Sequence, residues 1–389
     1  METLNKRSMF AGGTRDYSVD ILRCISCFFV VTSHVTAYML PENGFTSIEY
    51  DSTASYTLLV IRSVSICATN IFLMISGIFL LSPERNVTAK TVWSKNILKM
   101  TSAYILWCAM YALFRIYYET PMEFTPKVFI NQWLIQENHM WYIPMMIGVY
   151  VLVPVMRVFT ANAQRKHYHY LFAIFAGGIV LNSLRICCRS YKFPYWESVI
   201  DVIEKTPVNL ICVYPVFCIF GYYLYTYRLP KKVRLAIYAA GILGILISFL
   251  SCLLMMETSG QMEGSLIHSK FAIGNFLKTI AIFVLVTTVL ADIKLSAKVK
   301  KLISKLSAST LFIYLFHWML MMVLYHEGFL LSSGINVVAV DIIYIVLIYV
   351  TGFILSFVFL QCIPWVKMRN IVLDKFWPNR TIYVTRKKK

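Results

Sequence analysis

Long apolar runs recur along the chain and alternate with short polar segments. A helix needs about twenty predominantly apolar residues to cross the hydrocarbon layer of a bilayer. Runs of this kind lie at residues 18–40, 57–81, 97–118, 140–159, 168–188, 207–227, 233–256, 271–292, 309–331 and 336–362. A lipid-exposed backbone must satisfy its hydrogen bonds internally, and no alternating pattern indicates a barrel. We therefore predict ten transmembrane helices.

The composition excludes an ordinary soluble protein. Of the 389 residues, 58% are hydrophobic and only 14% are charged, whereas soluble domains have about a quarter of their residues charged. Most of the ten cysteines lie in apolar runs and show no paired zinc-ligand spacing, so we interpret them as packing residues and expect no metal. The prediction is an all-α, polytopic integral membrane protein.

The distribution of charge predicts the orientation of the helices. Most of the 37 Lys and Arg residues lie before predicted helix 1, after every even-numbered helix, and in the C-terminal tail. The other connecting segments carry most of the acidic residues. Because basic segments stay in the cytoplasm, both termini are predicted to be cytoplasmic. The net charge of +18 then indicates a collar that faces anionic lipid headgroups, and no nucleic-acid partner is expected.

This pattern divides the chain into three parts. Residues 1–17 form a retained cytoplasmic segment, residues 18–362 form the ten-helix domain, and residues 363–389 form a basic cytoplasmic tail. The longest connecting loops have roughly twenty residues, too few for a second domain. The sequence does not predict the oligomeric state.

Ionisable residues at membrane depth point to a functional site, because each costs roughly 2.5–3.5 kcal/mol even on a lenient insertion scale. Predicted helix 1 contains Asp20, Arg23 and His34. An interval of eleven residues leaves Arg23 and His34 about 20° apart around a helix and about 16 Å apart along it. Asp20 lies near the same face and is expected to hold the Arg23 guanidinium in a fork. The structural alternative is a buried ion pair plus a histidine that bonds a neighbouring helix.

Four segments resemble the motifs of a known family. They are, in chain order, the stretch with Asp20, Arg23 and His34; FLMISGIF, from Phe72 to Phe79 with Ser76 and Gly77; the stretch from His139 through Trp141 to Tyr150 and Pro154; and SASTLFIYLFHWML, with Tyr314 and His317. Together they resemble membrane-bound acyltransferase family 3. Leu73 and Ile78 replace aromatic residues that are common in the family. No segment resembles the esterase-like or racemase domains fused to some members, so we expect a stand-alone transferase.

The resemblance implies transfer of an acyl group, most often acetyl, from cytoplasmic acyl-CoA to a hydroxyl of a surface or lipid-linked glycan. Arg23, supported by Asp20, would then contact the CoA donor. His34 would act either as a general base or as a transient acyl carrier. The resemblance further implies O-acetylation of an envelope polysaccharide at the plasma membrane of a bacterium.

Other candidate residues each have a structural alternative. Tyr314 and His317 lie on one face of predicted helix 9, where donor binding and core hydrogen bonding are both open. His139 and Trp141 either form an interfacial aromatic belt or stack on an acceptor sugar. Ser76 and Gly77, with Phe72, are interpreted as close packing rather than as a nucleophilic site.

Four cations lie in the outer parts of predicted helices: Arg62, Arg115, Arg185 and Lys278. Each alone is explained by snorkelling to the headgroups. Together they would form a cationic vestibule on the acceptor side for a phosphate-bearing glycan carrier. We interpret Arg62, Arg115 and Lys278, with His139 and Trp141, as acceptor-side candidates.

Two other functions fit the same intramembrane charges. A secondary transporter or exporter of a glycan or lipid intermediate would use them along a translocation path. No counterpart of the Arg23 and His34 pair occurs in the second half of the chain, which disfavours an inverted repeat. A ligand-sensing membrane module is the other alternative, although no output domain is recognisable.

Overall fold

The computed structural model describes residues 15–41, 49, 52–192, 195–206, 208–259, 266–291 and 293–362. These residues form helices and no β-strand. The helices are α1 Tyr17–Met39, α2 Thr53–Ser65, α3 Ala68–Leu81, α4 Ala89–Thr91, α5 Leu98–Phe114, α6 Pro126–Leu134, α7 Tyr142–Asn162, α8 Arg165–Tyr191, α9 Trp196–Lys205, α10 Val208–Ile211, α11 Tyr214–Thr226, α12 Lys231–Ser259, α13 Ile273–Val289, α14 Ala297–His326 and α15 Val337–Cys362. Val92–Ile97 and Arg115–Glu119 are π-helical, and Asn138–Trp141 and Leu266–His268 form 3₁₀ turns.

The prediction of an all-α polytopic membrane protein is confirmed. Within the described ranges, eight helical segments are long and apolar enough to cross a membrane. The sixth and eighth predicted spans correspond to shorter apolar helices, α11 with 13 residues and α13 with 17. The chain is therefore a multi-pass membrane protein. We call the end of the bundle that holds the starts of α1 and α14 the inner end, in keeping with the predicted orientation.

The second and ninth predicted spans also differ from the helices observed. The second is divided into α2 and α3 at Ile66 and Cys67. The ninth was expected to begin at residue 309, but α14 begins at Ala297, where the Ser296 hydroxyl accepts a hydrogen bond from the amide of Val299. Lysines in these early turns lower the hydropathy, yet lysine is a good helix former, so the helix extends beyond the apolar run.

The domain limits and the orientation stay predictions. Residues 1–14 and 363–389 lie outside the described residues, so the structure does not test the predicted N-terminal segment or the basic tail. The described cysteines are free thiols. Cys27, Cys67 and Cys218 are fully or almost fully buried, which agrees with their interpretation as packing residues.

Helix α1 lies at the centre of the bundle and packs against α2, α3, α13, α14 and α15. Its N-terminus is capped by Asp16, whose side chain accepts a hydrogen bond from the amide of Ser18. Helices α3 and α11 cross closely at two glycines. A Cβ atom on Gly77 would lie 1.9 Å from the carbonyl oxygen of Cys218, and one on Gly221 would lie 2.0 Å from that of Met74. Gly77 is thus a packing residue, as the sequence indicated.

We expect Gly77→Ala to lower the free energy of unfolding by about 1–3 kcal/mol, because the added methyl group forces two backbones apart. Thermal unfolding of the purified protein in detergent measures this loss. Gly148→Ala is the matched control, since a Cβ there would meet nothing within 4 Å. Equal unfolding temperatures for the two variants would contradict the close crossing of α3 and α11.

Candidate active site

A cavity of about 600 Å³ opens at the inner end of the bundle between α1, α3, α5, α7 and α14. Its lining on α3 extends from Leu80 near the inner end to Thr69, a depth of about 16 Å at 1.5 Å per residue. Tyr142 and Tyr314 line its deep part. The cavity therefore reaches from the inner surface well into the membrane.

The inner mouth of this cavity is cationic. Arg23, Arg85, Lys95 and Lys99 line it, and no carboxylate is among the described lining residues. The guanidinium groups of Arg23 and Arg85 lie 5.1 and 5.9 Å from the centroid of the Phe79 ring. Lys95 belongs to a π-helical segment, a distortion frequent at functional sites. Such a mouth favours an anionic ligand that enters from the inner side.

Asp20 was predicted to hold Arg23 in a fork, and this prediction is wrong about which arginine forms the fork. The carboxylate holds Arg15 in a fork, with N–O distances of 2.5 and 3.0 Å, rather than Arg23. Arg23 lies 3.6 Å from Asp20 Oδ1 and donates a 3.0 Å hydrogen bond to Ser307 Oγ, which in turn donates to Asp20 at 2.7 Å. Because Arg15 and Ser307 occupy the carboxylate, Arg23 keeps donors available for the cavity, and its side chain is 26% exposed.

His34 and His317 form a hydrogen-bonded pair beyond the deep end of the cavity. His34 Nδ1 lies 2.9 Å from His317 Nε2, and His317 Nδ1 lies 2.6 Å from the carbonyl oxygen of Tyr314. A carbonyl oxygen only accepts, so Nδ1 of neutral His317 carries the proton and its Nε2 accepts from His34. His34 Nε2 is then the nitrogen with a free lone pair. It makes no hydrogen bond to any residue that the structure describes.

The pair lies close to the cavity. Val30 lines the cavity and precedes His34 by four residues, which is about 6 Å along α1. Tyr314 also lines it, and its carbonyl oxygen is the partner of His317. A molecule that fills the cavity therefore ends beside the two histidines.

His139 joins this cluster from the 3₁₀ turn that precedes α7. It is 1% exposed, its ring stacks on Trp318, and its ring centroid lies 5.0 Å from that of His317. The hydroxyl of Tyr314 donates to its carbonyl oxygen, and its buried Nδ1 has no partner among the described residues. His139 was predicted to face the acceptor, whereas the structure buries it against the histidine pair.

A second group of cations lies on the outer side of the cluster. Arg62 forms a 3.0 Å contact with His268, and Lys270 Nζ lies 5.9 Å from the ring centroid of Trp141. Burial and the nearby Arg62 lower the pKa of Lys270, in the loop before α13, to about 8. Trp141 and Arg62 are thus on the side where we placed the acceptor.

The other predicted vestibule cations have structural partners. Lys278 is 1% exposed and donates to the carbonyl oxygen of Ser63 and to Ser248 Oγ, which joins α13 to α2 and α12. Arg115 forms an ion pair with Glu137 and bonds Gln132. Arg185 bonds Asn182 at 2.7 Å. Arg62 therefore lies near Lys270, whereas Arg115 and Arg185 bond other residues.

The motif residues of α3 belong to the wall of the cavity. Phe72 and Ser76 both line the cavity. Ser76 Oγ donates a 2.9 Å hydrogen bond to the carbonyl oxygen of Phe72, one turn earlier in the helix. That bond and the absence of a histidine among the described lining residues argue against a nucleophilic serine here.

A family model described as an acyltransferase domain, that of acyltransferase family 3, matches residues 16–361. The chain belongs to this family. No curated protein and no solved structure matches the chain. Acyltransferase family 3 membership makes the protein a membrane acyltransferase, and its four motifs line or border the cavity and the histidine cluster described above.

Sequence reasoning missed several residues of the candidate site. Lys95 and Lys99 were noted only as part of a basic segment, and Ser307 and Trp318 carry no intramembrane charge that would draw attention. Asp341 was missed although an acid in an apolar run is itself a signal. It is fully buried on α15, and its Oδ2 accepts a 3.0 Å hydrogen bond from Thr36, two residues after His34.

Proposed function

We propose that the protein transfers an acyl group, most often acetyl, from acyl-CoA to a hydroxyl of a surface or lipid-linked glycan. One observation carries the proposal: a membrane-penetrating cavity has a cationic mouth at the inner end and ends beside the His34 and His317 pair. A soluble donor with phosphates and a long arm fits this shape. The reacting end then meets a histidine with a free lone pair.

The donor lies in the cavity with its phosphates at the mouth and its acyl end at the deep end. The CoA phosphates bind Arg85, Lys95 and Lys99 at the mouth, where they keep contact with water. The pantetheine arm extends along Phe72 and Tyr142 towards Tyr314. Arg23, partway along this path, contacts polar atoms of the arm or the nearest phosphate with its planar fork.

His34 acts as the general base in this proposal. Its Nε2 takes the proton from the acceptor hydroxyl as the hydroxyl oxygen attacks the thioester carbonyl carbon. The new C–O bond forms, the C–S bond breaks, and the CoA thiolate takes the proton from His34 to leave as the thiol. His317 accepts the Nδ1–H of His34 and so fixes the tautomer in which Nε2 is basic.

The acyl-carrier alternative uses the same atoms in two steps. His34 Nε2 attacks the thioester carbonyl carbon, a C–N bond forms as the C–S bond breaks, and CoA leaves as a thiolate. The acceptor hydroxyl oxygen then attacks the acyl carbon, the C–N bond breaks, and the hydroxyl proton passes to the thiolate or to water. Rapid acid quenching after mixing with labelled acetyl-CoA distinguishes the two routes. Label bound to protein in the absence of acceptor supports the carrier, and its absence supports the base.

The acceptor approaches from the outer side. Trp141 offers an aromatic face on which a sugar ring can stack, and Lys270 and Arg62 offer positive charge beside it. We propose an envelope polysaccharide or its lipid-linked precursor as the acceptor, and the bacterial plasma membrane as the location. Both follow from the family resemblance and from the two-sided arrangement of the site.

The test is acyl transfer by the purified protein. Radiolabelled acetyl-CoA is incubated with the protein, with and without a membrane extract that supplies glycan, and the free CoA thiol and labelled glycan are measured. We expect thiol release that depends on the acceptor and equals the label gained by the glycan. Unchanged acetyl-CoA under all conditions would contradict the proposed donor.

We expect Arg23→Lys to weaken acetyl-CoA binding about tenfold although it keeps the positive charge, because a lysine loses the planar fork. Equilibrium binding to the detergent-solubilised protein measures the change. Arg15→Lys is the matched control, since Arg15 shares the partner Asp20 but does not line the cavity. An equal loss in both variants would show that Arg23 acts only through the Asp20 ion pairs.

A further inference from the structure

A second cavity, of about 190 Å³, lies at the inner end of the bundle and shares no lining residue with the donor cavity. The end of α11, the start of α12 and the end of α13 surround it. Tyr225, in its wall, donates a 2.6 Å hydrogen bond to Asp16 at the start of α1. This bond places the second cavity on the same side of the membrane as the donor mouth.

Two arginines line the second cavity, Arg228 after α11 and Arg234 in the first turn of α12. Neither guanidinium forms a hydrogen bond or an ion pair with any residue that the structure describes, and Nε of Arg234 is buried without a partner. A buried donor on a charged group that has no partner is costly. No carboxylate occurs among the described residues of the wall.

The rest of the wall suits an amphipathic ligand. Leu224, Leu229 and Val284 supply apolar surface next to the two arginines. Leu285 and Val289 on the same part of α13 are 44% and 51% exposed, so aliphatic side chains face outwards beside the cavity. A phosphate in the cavity would thus have acyl chains beside it along α13, as in a phospholipid.

We propose that this cavity is a binding site for a phosphate group, supplied by the headgroup of an anionic phospholipid of the inner leaflet. The two arginine forks provide several donors to phosphate oxygens and supply a partner for the buried Nε of Arg234. This goes beyond attraction of the basic collar to the membrane surface, because it specifies one lipid at one place. The proposal does not depend on acyl transfer.

Native mass spectrometry of the full chain tests the site. The protein is purified in a mild detergent and titrated with phosphatidylglycerol, with phosphatidylcholine, or with inorganic phosphate. We expect the wild type to bind one phosphatidylglycerol in preference to phosphatidylcholine. The double variant Arg228→Gln with Arg234→Gln should bind that lipid about tenfold more weakly, since both forks are lost.

The matched control removes the same charge from neighbouring exposed positions, as Lys231→Gln with Lys232→Gln, and should change the affinity by less than about twofold. Equal losses in the two double variants would overturn the site in favour of general surface charge. Binding of inorganic phosphate with the affinity of the lipid would overturn the lipid assignment and leave a soluble phosphate as the ligand. Thermal unfolding in phosphatidylcholine checks that all variants are folded.

Discussion

His34→Gln should bind acetyl-CoA with wild-type affinity and transfer acetyl groups about 10²–10⁴-fold more slowly, the usual contribution of a positioned general base. Glutamine can still donate to His317 but cannot take a proton near neutral pH. The donor phosphates would lie at the cationic mouth, about 16 Å or more from His34 along α1. We therefore expect the variant to keep its affinity for acetyl-CoA while its rate of transfer falls. Isothermal titration and CoA-release assays on the same preparation measure both.

Thr32→Val is the matched control for His34→Gln. Thr32 lies on the same helix and is 5% exposed, and among the residues that the structure describes its hydroxyl bonds only the carbonyl oxygen of Phe28 in its own helix. We expect nearly wild-type transfer from this variant. Wild-type transfer by His34→Gln itself would remove the catalytic assignment, whereas loss of acetyl-CoA binding together with turnover would indicate a structural role.

A large fall in kcat is also expected from replacing His317, which acts as a positioning residue for His34. His317→Leu fills a similar volume but leaves His34 Nδ1–H without its acceptor and the carbonyl oxygen of Tyr314 without its donor. We expect kcat to fall about 10²-fold or more, because the tautomer of the base is no longer fixed. The KM for acetyl-CoA should change little, since His317 does not line the cavity.

His317→Gln distinguishes positioning from packing. Its amide can accept from His34 with the oxygen and donate to the Tyr314 carbonyl with the nitrogen, so most of the activity should return. The rate of the glutamine variant should still rise with pH to a plateau, as for a reaction that needs neutral His34. Equal rates for the leucine and glutamine variants would show that the hydrogen bond to His34 does not matter.

The eleven-residue spacing of Arg23 and His34 is enough to predict that both residues lie on one face of α1, because helical periodicity alone fixes that relation. Hydropathy likewise located the eight described segments that are long and apolar enough to cross a membrane, whereas the sixth and eighth of the ten predicted spans are shorter helices. The break at Cys67 and the inner extension of α14 did not follow from hydropathy, and the extension depends on the Ser296 cap and on lysines that form helix well. Hydropathy records only how apolar a run is.

The partners across the bundle could not be predicted. That Ser307 on α14 joins Asp20 to Arg23 on α1 depends on how α14 is rotated against α1. The same rotation brings His317 to His34, and the 3₁₀ turn before α7 brings His139 to His317. These relations join residues more than 100 positions apart in sequence. A single chain contains no periodicity that reports them.

A structure of the protein with a non-hydrolysable acetyl-CoA analogue would show whether the donor lies in the cavity with its acyl end beside His34. We expect the phosphates at Arg85, Lys95 and Lys99, the arm along Phe72 and Tyr142, and the acyl carbon near Tyr314. Room for the acceptor oxygen between that carbon and His34 Nε2 should remain, with reacting atoms about 3–3.5 Å apart once it binds. An analogue that binds outside this cavity, or whose acyl end stays at the inner mouth away from His34, would contradict the account.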